Sequence, residues 1–179
     1  DEISDKGVLA FGVYPSSSSS NDDNEVLSEF THRLRTIVSQ VHFAKKNEPL
    51  FIRHTKSTKR STSSGPAANR LDPRGQIETI HLNPYYKKRI KKRDVIVVDD
   101  CTTYGASFAV AAAFLLKGGA NSVTGIALGK FGDKLHHFEI AIDSDPFMPV
   151  VAGQYTWATP TPLKCVTNDN AQTILRTLL

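Results

Sequence analysis

The part of the sequence best suited to chemistry is a pair of adjacent carboxylates. A short run of hydroxyl residues and a glycine follow the pair. Residues 95–107 read V-I-V-V-D-D-C-T-T-Y-G-A-S, so Asp99 and Asp100 come directly after four β-branched residues. Such a run predicts a strand that is buried on both faces, as in a parallel sheet. Ligands bind beyond the carboxyl ends of strands in open parallel sheets, so we expect the acid pair at a ligand-binding edge.

The residues after the acid pair have the properties of a phosphate site. We expect a loop over 99–107 and then a helix, whose first N–H groups and positive dipole end favour an anion. Gly105 lets the backbone approach that anion, and Thr103 and Ser107 supply hydroxyl donors. The carboxylates would repel a phosphate, but they can accept hydrogen bonds from vicinal hydroxyls or hold Mg²⁺. A ligand that carries a phosphate at one end and a diol beside it is a ribose 5-phosphate.

The elements around this loop predict one α/β domain over residues 1–179, with a mainly parallel central sheet and helices on both faces. Short apolar runs predict strands at 8–14, 49–52, 95–98 and 123–128, with 140–142 and 150–152 as further candidates. Apolar spacing and alanine content predict helices at 25–41, 108–117 and 171–179, while 71–82 fits either a short helix or an edge strand.

The stretch from Asp99 to Ser107 resembles the phosphoribosyl-pyrophosphate (PRPP) site of the type I phosphoribosyltransferases. That family has two acidic residues, two variable ones and then Thr-Thr/Ser-Gly-x-Thr/Ser. The resemblance implies that Asp99 and Asp100 are the catalytic residues that contact the ribose hydroxyls and bind Mg²⁺. Tyr104 departs from the pattern, and it either turns outward or crowds the phosphate. The implied 5-phosphate cradle consists of Thr103, Tyr104, Gly105, Ala106 and Ser107.

The resemblance continues more weakly over roughly residues 8–130. Arg70 and the 118–120 end of the helix are similar to ComF-like members of the family. The segment 53–70 corresponds to the mobile loop that closes over PRPP, and Lys130 to a lysine that binds the base. The residues implied to bind pyrophosphate are Ser16, Ser17, Arg53, Lys56, Lys59 and Arg60.

The resemblance implies an enzyme that transfers the 5-phosphoribosyl group of PRPP to a nucleobase or similar nitrogen acceptor and releases pyrophosphate. Two other interpretations stay open. One is a regulator that binds PRPP or a nucleotide without turnover, which Tyr104 and the glycine-free serine tract 16–20 favour. The other, which we favour less, is a nucleic-acid-binding protein of the same fold. It would use the basic run 87–93, with Tyr85 and Tyr86 as stacking partners.

Charge and cysteine content fit a cytoplasmic protein with an anionic small-molecule ligand. The net charge is +4 and the pI about 9.1. Cys101 and Cys165 lie far apart in the sequence, which argues against a disulfide framework and favours a reducing compartment. His136 and His137 are expected at the surface without a metal-binding role.

The ends and apolar runs of the sequence bear on membranes and assembly. We expect no membrane partner, because there is no secretory signal and no apolar run long enough to span a bilayer. The sequence begins without a methionine, so we expect a trimmed protein or part of a longer one. The resemblance implies a possible homodimer.

Overall fold

A parallel sheet forms the centre of the computed structural model, which describes residues 9–17, 42–43, 48–57 and 68–164. The strands are β1 (Leu9–Val13), β2 (His42–Phe43), β3 (Phe51–Arg53), β4 (Ile80–Leu82), β5 (Asp94–Thr102), β6 (Ser122–Lys130), β7 (Leu135–His137), β8 (Ile140–Ile142), β9 (Tyr155–Trp157) and β10 (Thr161–Leu163). The helices are α1 (Ala68–Leu71), α2 (Arg74–Ile77) and α3 (Ala106–Lys117), with a 3-10 turn at Pro84–Tyr86.

The central sheet has the order β2-β1-β5-β6, and every neighbouring pair in it is parallel. The other strands form antiparallel pairs outside it: β3 with β4, β7 with β10 and β8 with β9. An α/β fold with a parallel sheet is therefore confirmed. The predicted helix over 25–41 lies outside the described residues, so helices on both faces of the sheet stay a prediction.

The best-packed face of the sheet lies against α3. Val95 and Val97 of β5 pack with Val110 and Phe114 of α3, and all four are almost completely buried. Fully burying an apolar side chain of this size stabilises the fold by about 1.5–3 kcal/mol. Gly125 of β6 has no side chain because Phe108 occupies the space, within 2.6 Å of where a Cβ would lie. These contacts fix the start of α3 relative to the end of β5.

The largest correction to the predicted elements concerns β5. We expected a loop over 99–107, but the strand continues through Thr102, so both aspartates are strand residues. The pairing with β6 holds this extension in place, since its register runs on to Thr102 opposite Lys130. The connection to α3 is therefore only Thr103, Tyr104 and Gly105.

Other predicted elements need smaller corrections. The strand expected at 49–52 is β3, and it pairs with β4 instead of joining the central sheet. The segment 71–82 contains both a short helix and a strand, α2 and β4. The strand expected at 150–152 is wrong: Val150 is buried, but the chain then turns, with Gln154 N donating to Val151 O (3.0 Å). The helix expected at 171–179 lies outside the described residues.

The longest helix in the described part of the chain is α3, with 12 residues. No helix there is long and apolar enough to cross a bilayer.

Candidate functional site at the carboxyl edge of the sheet

The carboxyl ends of β1, β5 and β6 meet at one edge of the sheet. Val13 lies opposite Val98, and Tyr14 N donates a hydrogen bond to Val98 O (2.9 Å). The chain that leaves β1 toward Ser16 and Ser17 therefore starts beside Asp99. This edge is where an open parallel sheet binds its ligands.

Asp99 and Asp100 differ strongly in their surroundings. Side chains alternate along a strand, so the two carboxyls leave β5 on opposite sides. Asp99 is half-buried, whereas Asp100 is exposed. Burial, and then the negative charge of Asp100, raise the pKa of Asp99 to about 7, while the positive charge of Arg53 acts in the opposite direction. At neutral pH the Asp99 carboxyl is thus close to its titration midpoint and can either donate or accept a proton.

Backbone amides also hold the acid pair. Asp100 N donates to the Oδ1 atom of Asp99 (3.0 Å), and Cys101 N donates to the Oδ1 atom of Asp100 (2.6 Å). These two bonds fix one oxygen of each carboxyl against the backbone of β5. A site of this kind, with one or two carboxylates, suits Mg²⁺ that is also held by ligand phosphates. No group of three or more His, Cys, Asp or Glu in the described part of the chain could hold a metal ion.

The predicted phosphate cradle is the start of α3. Gly105 has φ +89°, a left-handed conformation that few residues other than glycine adopt, and its N–H is bonded to the Oγ1 atom of Thr102 (3.2 Å). The first bond of the helix runs from Ala109 N to Gly105 O (3.0 Å). The amides of Ala106 and Ser107 precede that bond, so they face out of the helix end, as an anion requires.

Strand β7 covers this cradle, a contact that the sequence did not predict. The rings of Tyr104 and His136 meet edge to face with centroids 5.0 Å apart, and His136 N donates to Tyr104 O (3.1 Å). Expecting His136 at the surface was wrong, since it is half-buried and its Nδ1 atom is enclosed without a hydrogen-bond partner in the structure. Tyr104 was the one available signal, because a large ring at a small-residue position needs a neighbour.

Arg53 lies beneath the loop that follows β1. We call this loop, with Pro15, Ser16 and Ser17 as its described members, the serine loop. It is 1% exposed, and its guanidinium donates to Ser16 O, to Pro15 O (3.4 Å) and to the Oγ1 atom of Thr79 (2.6 Å). It also donates to the Oε1 atom of Gln76 (3.1 Å). We predicted that Arg53 contacts pyrophosphate directly. Its burial instead makes it the residue that shapes the serine loop.

The exposed part of the predicted pyrophosphate site is smaller than the sequence suggested. Ser16 and Lys56 are exposed, and Ser57 N donates to Ser17 O (3.1 Å), which brings the segment after β3 to the serine loop. The Oγ atom of Ser57 is buried and has no hydrogen-bond partner among the described residues. Lys59 and Arg60 lie outside the described residues, so their predicted role stays a prediction.

Lys130 does not have the position expected of a base-binding residue. Its Nζ atom lies 2.6–2.9 Å from four backbone carbonyls, those of Thr103, Phe131, Gly132 and Lys134. An ammonium group has three donors, so these acceptors occupy it fully. Lys130 instead joins the end of β6 to the first residue of the phosphate cradle.

A scan against models of protein families finds no family that matches this chain, and a search of the curated proteins finds no match.

Proposed function

We propose that the chain binds PRPP with Mg²⁺ and transfers its 5-phosphoribosyl group to a nucleobase or a similar nitrogen acceptor, releasing pyrophosphate. The observation that carries the proposal is the meeting of three features at one edge of the sheet. These are the acid pair of β5, the start of α3 at Gly105, and the serine loop after β1. An acid pair between two anion-binding segments matches a ribose that carries phosphate groups on either side.

In the proposed complex, the amides at the start of α3 and the Ser107 hydroxyl bind the 5-phosphate. Asp99 and Asp100 accept hydrogen bonds from the ribose hydroxyls or hold Mg²⁺, which would neutralise pyrophosphate as it leaves. Ser16, Ser17 and Lys56 contact pyrophosphate from the side of β1. Arg53 holds the carbonyls of that loop from within, as its buried hydrogen bonds support.

The reaction would break the bond between C1 of the ribose and the pyrophosphate oxygen. The electron pair of that bond leaves with pyrophosphate, and a nitrogen lone pair of the acceptor forms the new bond to C1. The acceptor then loses its proton to a base or to water. The protein contributes mainly by holding the reactants in line and by stabilising charge. Lys130 is occupied by backbone carbonyls, so other residues must bind the acceptor.

Titration calorimetry with PRPP and Mg²⁺ tests the binding step. We expect micromolar affinity for the native chain. The double variant Asp99→Asn with Asp100→Asn should bind at least about tenfold more weakly, since each lost contact to a charged group contributes about 1.5–3 kcal/mol.

The matched control is Asp143→Asn with Asp145→Asn. It removes the same charge at two exposed positions, and Asp145 pairs with Lys87, which precedes the amino end of β5. Equal weakening in the two double variants would mean that the loss does not depend on where the carboxylates lie, and the proposal would then fail.

One observation favours a second function, a regulator that binds PRPP without turnover. Tyr104 stands where the resembled family has a small residue, and its ring is held against His136 of β7. This departure from the pattern of the enzymes suits a protein that binds the ligand without turning it over. Release of pyrophosphate in the presence of a panel of nucleobases separates the two functions: release supports the enzyme, while saturable binding without release supports the regulator.

A further inference from the structure

A strongly basic surface lies at the amino end of the sheet, opposite the candidate site. It consists of Lys88, Arg89, Lys91, Lys92, Arg93 and Lys117, and we call it the basic surface. Five of these residues directly precede β5, which begins at Asp94, and the sixth ends α3. The carboxyl edge that carries Asp99 and Asp100 is at the other end of β5.

Tight turns present these cations together. Arg89 N and Ile90 N both donate to Tyr86 O, at 2.8 and 3.1 Å, and Arg93 N donates to Ile90 O (3.1 Å). Ile90 is 1% exposed and anchors the segment in the core, whereas Lys88 and Lys91 are exposed. The segment is therefore a compact, anchored surface element with the charges of Lys88 and Lys91 outward.

The end of α3 joins the same surface. Lys92 N donates to Gly119 O (2.7 Å), and the Cγ atom of Lys91 lies 3.3 Å from where a Cβ of Gly119 would be. Lys117, two residues before Gly119, is also exposed. Lys92 is the one residue other than glycine with positive φ (59°) in the described part of the chain. Uncommon backbone conformations of this kind cluster at functional sites.

In the described part of the chain, few acidic groups lie beside the basic surface. The two neighbouring carboxylates have other partners: Asp145 pairs with Lys87 (2.8 Å), and the Oδ1 atom of Asp94 accepts from Asn121 and Ser122. The ammonium groups of Lys88, Lys91, Lys92 and Lys117 make no ion pair or hydrogen bond with other described residues. Six cations exceed the net charge of +4, so the rest of the chain is net acidic.

The neighbouring tyrosines show which kind of polyanion fits. The less favoured interpretation of the sequence, a nucleic-acid-binding protein, has Tyr85 and Tyr86 as stacking partners for a single strand. Tyr86 is 6% exposed with its hydroxyl bonded to Glu48 O (2.5 Å), so it cannot stack on a base. The guanidinium of Arg89 covers the ring of Tyr85 at 4.0 Å. Single strands are bound by exposed aromatic rings, whereas the phosphates of a duplex require only cations.

We propose that the basic surface binds the phosphate backbone of double-stranded nucleic acid without reading its sequence. The affinity must then fall steeply with salt, because each neutralised phosphate releases counterions. With about four phosphate contacts, raising the salt from 50 to 200 mM should weaken binding on the order of a hundredfold.

Fluorescence anisotropy with a labelled DNA duplex of about two helical turns tests the proposal on the whole chain. We expect saturable binding at 50 mM salt. The variant Lys88→Gln with Lys91→Gln should weaken it at least about fivefold and lower the slope of log affinity against log salt by about 2. Lys88→Arg with Lys91→Arg should bind like the native chain.

The matched control is Lys134→Gln with Lys164→Gln, which neutralises two exposed lysines elsewhere. It should change the affinity less than twofold. Four outcomes would overturn the proposal: no saturable binding at 50 mM salt, equal losses in the two neutralised variants, tighter binding of a single strand of the same sequence, or equally tight binding of anionic lipid vesicles.

Discussion

At the scale of single residues, the position of Asp99 at the carboxyl edge of the sheet has an energetic cost. Burial and the charge of Asp100 raise its pKa to about 7, so the folded chain binds a proton at this carboxyl more tightly than the unfolded chain does. The stabilisation that this proton provides is fully present below pH 4 and is lost as the pH rises through about 7. A buried acid that weakens the fold at neutral pH is typical of functional sites.

The variant Asp99→Asn tests this cost, because asparagine has a similar shape and does not titrate. At pH 8 we expect Asp99→Asn to raise the free energy of unfolding. This change should be about 2–4 kcal/mol more favourable than the change that the same substitution causes at pH 4.5. Urea unfolding at the two pH values provides the measurement, with the exposed Asp143→Asn as the control. The same effect at both pH values would show that the Asp99 carboxyl titrates normally in the folded chain.

Arg53 is the residue whose role the sequence predicted least well. It stands among basic and hydroxyl residues, a composition that is typical of an exposed loop. Its burial depends on Gln76 and Thr79, which come from elements more than 20 residues away and accept from the guanidinium at 3.1 and 2.6 Å. No local pattern reveals such partners, so the sequence could predict a functional arginine but not its buried position.

The variant Arg53→Met should destabilise the chain by at least about 1–3 kcal/mol, because it removes the guanidinium donor from the Oγ1 atom of Thr79 and from the carbonyl of Pro15. The midpoint and slope of urea unfolding measure this change. Lys88→Met is the control, because it removes an exposed cation without a partner in the described chain and should cost within about 0.5 kcal/mol. A loss of similar size in both variants would mean that the hydrogen bonds of Arg53 contribute little to stability.

At the scale of elements, the start of α3 depends on the backbone of Gly105. Its φ of +89° is strained for any residue with a side chain, although a Cβ would have room, with Leu135 Cδ2 3.7 Å away. We therefore expect Gly105→Ala to lower the free energy of unfolding by at least about 1 kcal/mol and to weaken PRPP binding as the cradle shifts.

Gly75 of α2 provides a matched control for this substitution. A Cβ there meets nothing within 4 Å, and its φ is not positive. Gly75→Ala should be neutral or stabilising by up to about 1 kcal/mol, since alanine favours helix. Calorimetry with PRPP and Mg²⁺ measures the ligand affinity of both variants, and urea unfolding measures their stability. Together they separate an effect on the cradle from an effect on the fold. If Gly105→Ala also left both quantities unchanged, the left-handed turn would be unnecessary for the site.

The unit from β5 to β6 shows how much of the fold the sequence patterns predict. The β-branched run, the alanine-rich helix and Gly118-Gly119 predict β5, α3 and β6 to within about four residues. The continuation of β5 over Asp99–Thr102 was missed, because aspartate is unfavourable in strands and only the pairing with β6 maintains it. β7, which lies over Tyr104, is also set by contacts distant in sequence.

At the scale of the whole molecule, the two proposed sites lie at opposite ends of one strand. The basic surface precedes Asp94, and the phosphate cradle follows Thr102, so the nine residues of β5 separate them by about 26 Å. That distance is about three times the screening length in physiological salt, roughly 8 Å. Neither ligand should therefore change the affinity for the other through charge alone.

Anisotropy titrations with the duplex, with and without saturating PRPP and Mg²⁺, test this independence. We expect the two dissociation constants to agree within about a factor of two, since the coupling free energy between screened, distant sites is close to zero. Inorganic pyrophosphate with Mg²⁺ at the same ionic strength controls for the added charge. As the reciprocal measurement, Lys88→Gln with Lys91→Gln should leave the affinity for PRPP unchanged. Competition between PRPP and the duplex would place both polyanions on the same surface, and the assignment of separate sites to the two ends of β5 would be wrong.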